Sequence, residues 1–201
     1  MKHIIYIHGY KGENSSKGKK LTEYFNSDEY YVHTPVQDPQ SPNNTINSIL
    51  KLIEELGSQS VFIVGSSRGG FYGLRVSQLT NVPCLLINPA LNFSQTNYEN
   101  MLKQNGKEKT ERVFKEIIEI RERIVNEPLD QSKINLFIST NDEILDHTEL
   151  IQFLDNPRSI EMFEDTHKFY NFSETLPKVK AMVDSIGWVE MEHSVIIISE
   201  L

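Results

Sequence analysis

Hydrophobic residues gather in short runs separated by turn-forming residues, at 3–7, 30–36, 61–64, 84–87, 134–139 and 159–163. Short runs rich in Ile, Val, Tyr and Phe and bounded by Gly, Pro, Asn or Asp predict strands. Between them the apolar positions recur every three or four residues. Ile46, Ile49, Leu50 and Ile53 share one face of a predicted helix over 45–56, and further helices are predicted over 21–25, 70–79, 149–154 and 176–186. Strands alternate with helices along the chain. That order predicts an α/β fold of three layers, a mostly parallel sheet of about six strands covered by helices on both faces.

Two stretches depart from this rhythm. Residues 88–133 are too long for a simple connection. The charged segment 108–127 within them carries Val113, Phe114, Ile117, Ile118, Ile124 and Val125 on one apolar face, which predicts a helix lying on the sheet. The interval is therefore read as a helical insertion near 90–132, with 92–105 expected to cap a pocket. At the other extreme, 194–199 reads as a strand after the sheet is already complete. It is expected either to add an edge strand or to pair with a second copy in a homodimer, because a bare apolar edge invites pairing.

Length and charge narrow the classes. A chain of 201 residues fits a single domain spanning 1–201. Its formal charge of −8 argues against a nucleic-acid or anionic-membrane partner. The single cysteine, Cys84, excludes an internal disulfide and sits in an apolar run, where it packs as a small hydrophobe. No segment has the length of a membrane span, and the N-terminus reads as the first strand rather than as a signal peptide. A cytoplasmic location is the expectation by default.

Gly65-Ser66-Ser67-Arg68-Gly69 carries the candidate chemistry. It follows the strand at 61–64 and opens the helix at 70–79, the strand–turn–helix context of a G-x-S-x-G nucleophile elbow. A serine hydroxyl attacks poorly until a base takes its proton, and the elbow projects it from a tight turn. Only Ser67 has glycines two residues before and after it, Gly65 and Gly69; around Ser66 those places hold Val64 and Arg68. A Cβ at either glycine would strike the neighbouring strand or helix.

The nucleophile needs an acid and a base, which follow it in the order Asp or Glu, then His. Asp142 lies just past the strand at 134–139, and His167 on the loop after the strand at 159–163. His147 is assigned to a helix start, His193 to the C-terminal extension, His3 and His33 to strand positions. Asp146 is the reserve acid, read as a cap for the helix near Glu149. Two backbone donors would form an oxyanion hole: the N–H of Arg68, and the N–H of Tyr10 in the turn His8-Gly9-Tyr10. The His8 side chain is expected to tie down that turn, and the Arg68 side chain is read either as a contact for a substrate carboxylate or as a plain surface charge, the second being preferred. If the first and third strands are neighbours, both loops leave the sheet at one switch-point crevice.

With these landmarks the chain resembles the small bacterial α/β-hydrolases of the YqiA-like esterase type. The resemblance runs through Ile5-Tyr6-Ile7-His8-Gly9-Tyr10, Ser15-Ser16 with Lys17 to Lys20, Gly65 to Gly70, Ile87-Asn88-Pro89-Ala90, Asp142 to Asp146 and His167. It implies the α/β-hydrolase fold without its leading hairpin. It also implies cleavage of a small carboxylic ester or thioester through an acyl-enzyme, with no metal or organic cofactor. Departures are Glu164-Asp165-Thr166 where the family approaches its histidine through glycines, Asn141 before the acid, and the tail from Trp188. An acyltransferase or acyl-CoA thioesterase with the same three residues, and a non-catalytic binding protein on this scaffold, are the rival readings. A dinucleotide-binding protein is disfavoured because the glycine pattern after the first strand lacks G-x-G-x-x-G.

Overall fold

A computed structural model describes residues 1–10, 12–13, 15–92 and 95–186, with the side chains of 95–97 excepted. Six parallel strands, β1 (Lys2–Ile7), β2 (Tyr30–His33), β3 (Val61–Ser66), β4 (Cys84–Ile87), β5 (Ile134–Ser139) and β6 (Ser159–Phe163), form one sheet in the order β2-β1-β3-β4-β5-β6. The expected hairpin-free α/β sheet is present, and every described pairing in it is parallel. The expected strand at 194–199, its homodimer contact and the tail from Trp188 lie outside the described residues.

The period of two along each strand divides the core between the faces. Ile5, Ile7, Ile63, Leu86, Leu136 and Ile138 point to one side. There they meet α2 (Pro42–Leu56), α3 (Arg68–Thr80) and α5 (Lys107–Asn126). Ile4, Tyr6, Phe62, Val64, Leu85, Ile87 and Phe137 point to the other, against α1 (Ser16–Tyr24) and α7 (Phe172–Asp184). The central strands β1, β3, β4 and β5 therefore read as near-continuous apolar runs, because both of their faces are covered, whereas the edge strands β2 and β6 expose Tyr31, Ile160 and Met162.

Local chemistry sets the helix ends. Ser41 caps α2 by accepting from the Asn44 N–H, with Pro42 in the first turn, and Gly57 closes the helix at φ 80°. In α5, Val113, Ile117, Ile120 and Ile124 are buried at helical spacing, whereas Val125, expected on the same face, is exposed. Each buried aliphatic contributes about 1.5–3 kcal/mol, enough to hold an otherwise charged helix on the sheet. Phe114 packs edge-on against Tyr98 of α4 (Gln95–Asn105), the segment expected to cap a pocket.

Several boundaries differ from the expectation. Helix α1 begins five residues earlier than the predicted 21. Ser15 caps it, and Gly18 lies against the Tyr6 ring, where an added Cβ would come within 3.1 Å of the ring. Strand β2 stops at His33, before the proline at position 35. Helix α7 begins at Phe172 and continues through Pro177, losing one backbone bond there while burying Phe172, Thr175 and Leu176.

As the pattern required, β1 lies between β2 and β3, and the helices that follow β1 and β3 go to opposite faces. Their carboxyl ends open a crevice at the switch point.

Candidate active site

Strand β3 ends in the elbow. Ser67 has φ 55° and ψ −120°, a conformation that L-residues rarely adopt, and it caps α3. Its N–H donates to the Ile87 carbonyl at 2.9 Å, and its own carbonyl accepts from Phe71 and Ala90 at 3.1 Å each, so the strained turn is fixed from three sides. The glycines are there for space. A Cβ on Gly69 would lie 2.0 Å from the Ile7 carbonyl oxygen, and one on Gly65 would lie 2.5 Å from the Gly69 oxygen.

The loop after β6 brings His167 over the sheet. The Ser67 hydroxyl donates to His167 Nε2 at 2.9 Å, across 100 residues of sequence. On the far side of the ring, Nδ1–H donates to Asp142 Oδ2 at 2.8 Å and approaches Oδ1 at 3.1 Å. Asp142 leaves β5 as expected and is almost wholly buried, with 2% of its side chain exposed. Its Oδ1 accepts from the Ile144 and Leu145 N–H groups, each at 2.9 Å. Burial alone would raise this carboxyl's pKa. The hydrogen bonds from His147, His167 and the two backbone groups outweigh it and hold the group well below the usual carboxylate range. Ile144 is exposed, and with Leu145 it lines the crevice.

The three residues singled out in the sequence are thus within hydrogen-bond reach of one another in series. A fourth group was missed. His147 stands at the start of α6 (Thr148–Phe153) as expected, but its Nε2–H also donates to Asp142 Oδ2 at 2.9 Å from a buried position. The only signal was its distance of five residues from Asp142. The cap position of α6 is His147, and Asp146, one residue before it, accepts from the Thr148 N–H at 2.9 Å.

Two further polar anchors hold the histidine loop. Asp165 is buried and accepts from the N–H groups of Thr166, Tyr170 and Asn171. This carboxylate occupies the stretch where the resemblance led one to expect glycines. Buried Asn88, at φ 44°, donates to Ser139 Oγ at 2.8 Å and to the His167 carbonyl at 3.2 Å. It also accepts from the Ser139 N–H, tying the ends of β4 and β5 to the loop.

The turn after β1 lies directly against the nucleophile, since a Cβ on Gly9 would come within 3.3 Å of Ser67 Cβ. His8 secures that turn as expected, its Nδ1–H donating to the Gly9 carbonyl at 2.7 Å. Arg68 opens α3, where its backbone N–H has no intrahelical partner. The reading of its side chain as a surface charge is overturned. Arg68 is buried, with its guanidinium 4.5 Å from the Tyr10 ring centroid and a contact to Met101 Sδ at 3.5 Å. The long side chain at the head of α3 lies under Tyr10 and α4 and borders the crevice rather than the outer surface.

The crevice has a volume of about 660 Å³ and includes Ser67, His167, Gly9, Tyr10, Arg68 and Phe169 in its walls. Asn100, Met101 and Gln104 of α4 also line it, so part of the expected capping segment borders the site. Among the described residues, no group of three or more His, Cys, Asp or Glu side chains is arranged to hold a metal ion. No described helix is long and apolar enough to cross a membrane.

A hairpin-free parallel sheet, with a strained serine at one strand end facing a histidine over the switch-point crevice, defines an α/β-hydrolase-fold protein. Likeness to solved structures agrees. One of the metagenome-derived lipolytic enzymes LipS and LipT superposes with a TM-score of 0.70 at 13% identity, over 90% of this chain and 93% of that one. Alpha/beta hydrolase domain-containing protein 10 from mouse gives 0.65 at 16% identity, over 90% and 89%. Within that fold, the chain belongs to UPF0227, an uncharacterised protein family whose model matches residues 3–184, and which is the YqiA-like type. A UPF0227 protein of Pectobacterium carotovorum is 26% identical over 186 residues, 89% of this chain and 97% of its own. One of Vibrio vulnificus is 24% identical over 187 residues, 90% and 99%.

Proposed function

We propose that this protein is a serine hydrolase that cleaves carboxylic esters or thioesters through an acyl-enzyme. The observation that carries the reading is the continuous series from Ser67 Oγ through His167 to Asp142, with hydrogen bonds of 2.9 and 2.8 Å, at the wall of an open crevice. The solved lipolytic relative named above, and Est1E from Butyrivibrio proteoclasticus, alike at a TM-score of 0.63 and 15% identity over 91% of this chain, lend it support.

His167, with its proton on Nδ1, presents the Nε2 lone pair to the Ser67 hydroxyl. As Ser67 Oγ bonds to the ester carbon, its proton passes to Nε2. The carbonyl π electrons move to oxygen, where the N–H groups of Arg68 and Tyr10 receive the charge. Ionised Asp142 stabilises the imidazolium and keeps the ring oriented; it takes no proton itself. Collapse of the tetrahedral adduct breaks the bond to the alcohol or thiol, which leaves with the proton from Nε2. Water then adds to the acyl-enzyme by the same path and releases the acid.

Purified protein is expected to hydrolyse a short-chain p-nitrophenyl ester and to be labelled at Ser67 by a fluorophosphonate. Ser67→Ala should lose both. Full turnover retained in folded Ser67→Ala would overturn the proposal, and so would wild-type protein that neither turns over esters nor takes the label.

A further inference from the structure

We propose that the crevice selects an ester or thioester whose acyl chain carries an anionic group, a carboxylate or a phosphate, and that the Arg68 guanidinium receives it. This rests on the serine-hydrolase reading above and deepens it.

The first observation is the charge of the walls. The crevice is lined by Lys17, Lys20, Arg68 and Lys168, and among the described residues no aspartate or glutamate lines it. The whole chain carries 28 acidic against 20 basic residues, so the local sign opposes the global one. Asp142 lies buried behind the His167 ring, Glu143 accepts from the His167 backbone N–H, and Asp165, which interacts with Lys17, is held by the Thr166, Tyr170 and Asn171 N–H groups; none of the three lines the crevice wall. A cleft of one sign concentrates ligands of the other.

The second observation is the state of Arg68. Two arginines are buried on α3. Arg75 has a carboxylate, Glu127, against its guanidinium at 2.5 Å. Arg68 has none within ion-pair distance among the described residues. Its neighbours are the Met101 thioether, the Tyr10 ring face and the Tyr72 hydroxyl, all neutral. Glu116 and Asp38, which both lie near Tyr72, are bonded elsewhere, Glu116 to the Ser41 hydroxyl and the Asn43 N–H and Asp38 to the Asn44 side-chain amide and the Gln40 N–H. A buried cation without a counter-charge is costly to the fold. It is retained here between Tyr10 and Met101, two residues of the crevice wall, where an incoming anion can supply what the protein does not. A guanidinium matches a carboxylate or phosphate with paired donors, and a thioether is a weak acceptor that either would displace.

The third is position. Of the groups on the reacting carbon, the oxygen goes to the paired N–H groups and the leaving group to His167. We assign the acyl chain to the wall formed by Tyr10, Met101 and Gln104, the one that carries Arg68. The lysines flank the other end, where Lys17 Nζ donates to the Lys168 carbonyl at 2.6 Å, beside His167. They add attraction at a distance rather than a fixed contact.

The test compares mono-p-nitrophenyl adipate, and the phosphonate of the same length, with neutral p-nitrophenyl hexanoate. Wild-type protein should favour an anionic ester by about tenfold or more in kcat/KM, the worth of one desolvated charge-assisted pair. Whichever of carboxylate and phosphonate is the better substrate identifies the anion. Arg68→Leu should cut the anionic-to-neutral ratio about tenfold whatever it does to the common rate, and Arg68→Lys should keep part of it. A wild-type ratio of one or less in protein that takes the fluorophosphonate label overturns the anion assignment while the hydrolase reading stands. A ratio unchanged in Arg68→Leu does the same. Hexanoyl-CoA strongly preferred over the N-acetylcysteamine thioester, undiminished in Arg68→Leu and without preference for adipate, would put the anion on the leaving group instead and overturn the acyl-side assignment. If Arg68→Leu does not fold, calorimetry on Ser67→Ala decides: adipate should bind more tightly than hexanamide and lose that advantage in high salt, and equal binding overturns the proposal. Absent label and absent turnover of every ester would instead bring down the hydrolase reading, and this inference with it.

Discussion

Replacing His147 by alanine removes one of the groups that hold the Asp142 carboxylate, and the structure sets the size of the effect. Asp142 accepts from His147 and His167 through Oδ2 and from the Ile144 and Leu145 N–H groups through Oδ1. A hydrogen bond to a buried charge contributes about 1.5–3 kcal/mol, so loss of the His147 bond and of its buried ring should cost about 2–3 kcal/mol of stability. The remaining bonds still fix the carboxylate, so catalysis should suffer less. We expect kcat on a p-nitrophenyl ester to fall about tenfold, equivalent to roughly 1.4 kcal/mol in the barrier, with KM little changed. Asp142→Asn, which spoils the tautomer of His167, should cost about 10⁴-fold. The pH signature separates positioning from mere packing. The folded-state pKa of Asp142 is depressed, so its contribution to stability is full above the ordinary carboxylate pKa and is lost as pH falls through the folded value. Removing His147 raises that folded value and should move the acid-unfolding midpoint to higher pH. His147→Gln, which keeps a donor, should recover much of both effects. Unchanged kcat together with an unchanged acid midpoint would refute the positioning argument. A loss as deep as that of Asp142→Asn in folded protein would mean that His147, not His167, is the base.

Ser67→Gly relieves a residue held at φ 55°, and should raise stability by about 1 kcal/mol by thermal melting while abolishing turnover; a lower melting temperature contradicts the strain argument. Gly69→Ala puts a carbon 2.0 Å from the Ile7 carbonyl oxygen and 2.5 Å from that of His8, both of them backbone, and should cost more than about 3 kcal/mol, read as loss of soluble protein; a variant melting within a few degrees of wild type refutes the steric reading. Asp184 joins the start of β1, Tyr30 and Lys180, and its carboxyl is lowered to about 2: burial raises it, but bonds from Lys180, Tyr30 and Lys2 prevail. With a third of the side chain exposed, Asp184→Asn should cost about 1 kcal/mol after screening. That difference from wild type should be full above pH 4 and vanish between about pH 4 and 2; a constant difference across that window contradicts it.

What could be read from the sequence followed from periodicity and sterics. The four central strands showed as apolar runs because both of their faces are covered, and the edge strands β2 and β6 showed by their aromatic and β-branched residues between turns. The elbow showed because two backbone segments approach too closely for any residue but glycine at 65 and 69. Ser67, Asp142 and His167 showed because their order along the chain maps onto the ends of β3, β5 and β6. Less legible was α1, whose Ser16, Lys17, Lys19 and Lys20 hide a helix that docks through Gly18 and Leu21. The small residue leaves no mark in a hydrophobicity pattern, although it is what lets the helix approach Tyr6.

Illegible were the polar contacts made across loops, because nothing periodic encodes them. His147 was placed correctly at its helix start, yet its bond to Asp142 exists only because the carboxylate draws Ile144 and Leu145 into a turn that doubles the chain back. Asp165 and Asn88 hold the His167 loop in the same way. Arg68 and Arg75 make the point most sharply. Seven residues apart, they lie on one face of α3, and both are buried. A helical pattern treats them alike. Their difference arises 52 residues downstream of Arg75, where Glu127 ends α5 and meets its guanidinium, while Arg68 receives Met101 and the Tyr10 ring instead. The sequence records a cation at each position, and only the packing of α4 and α5 decides which of them is neutralised and which is left for a ligand.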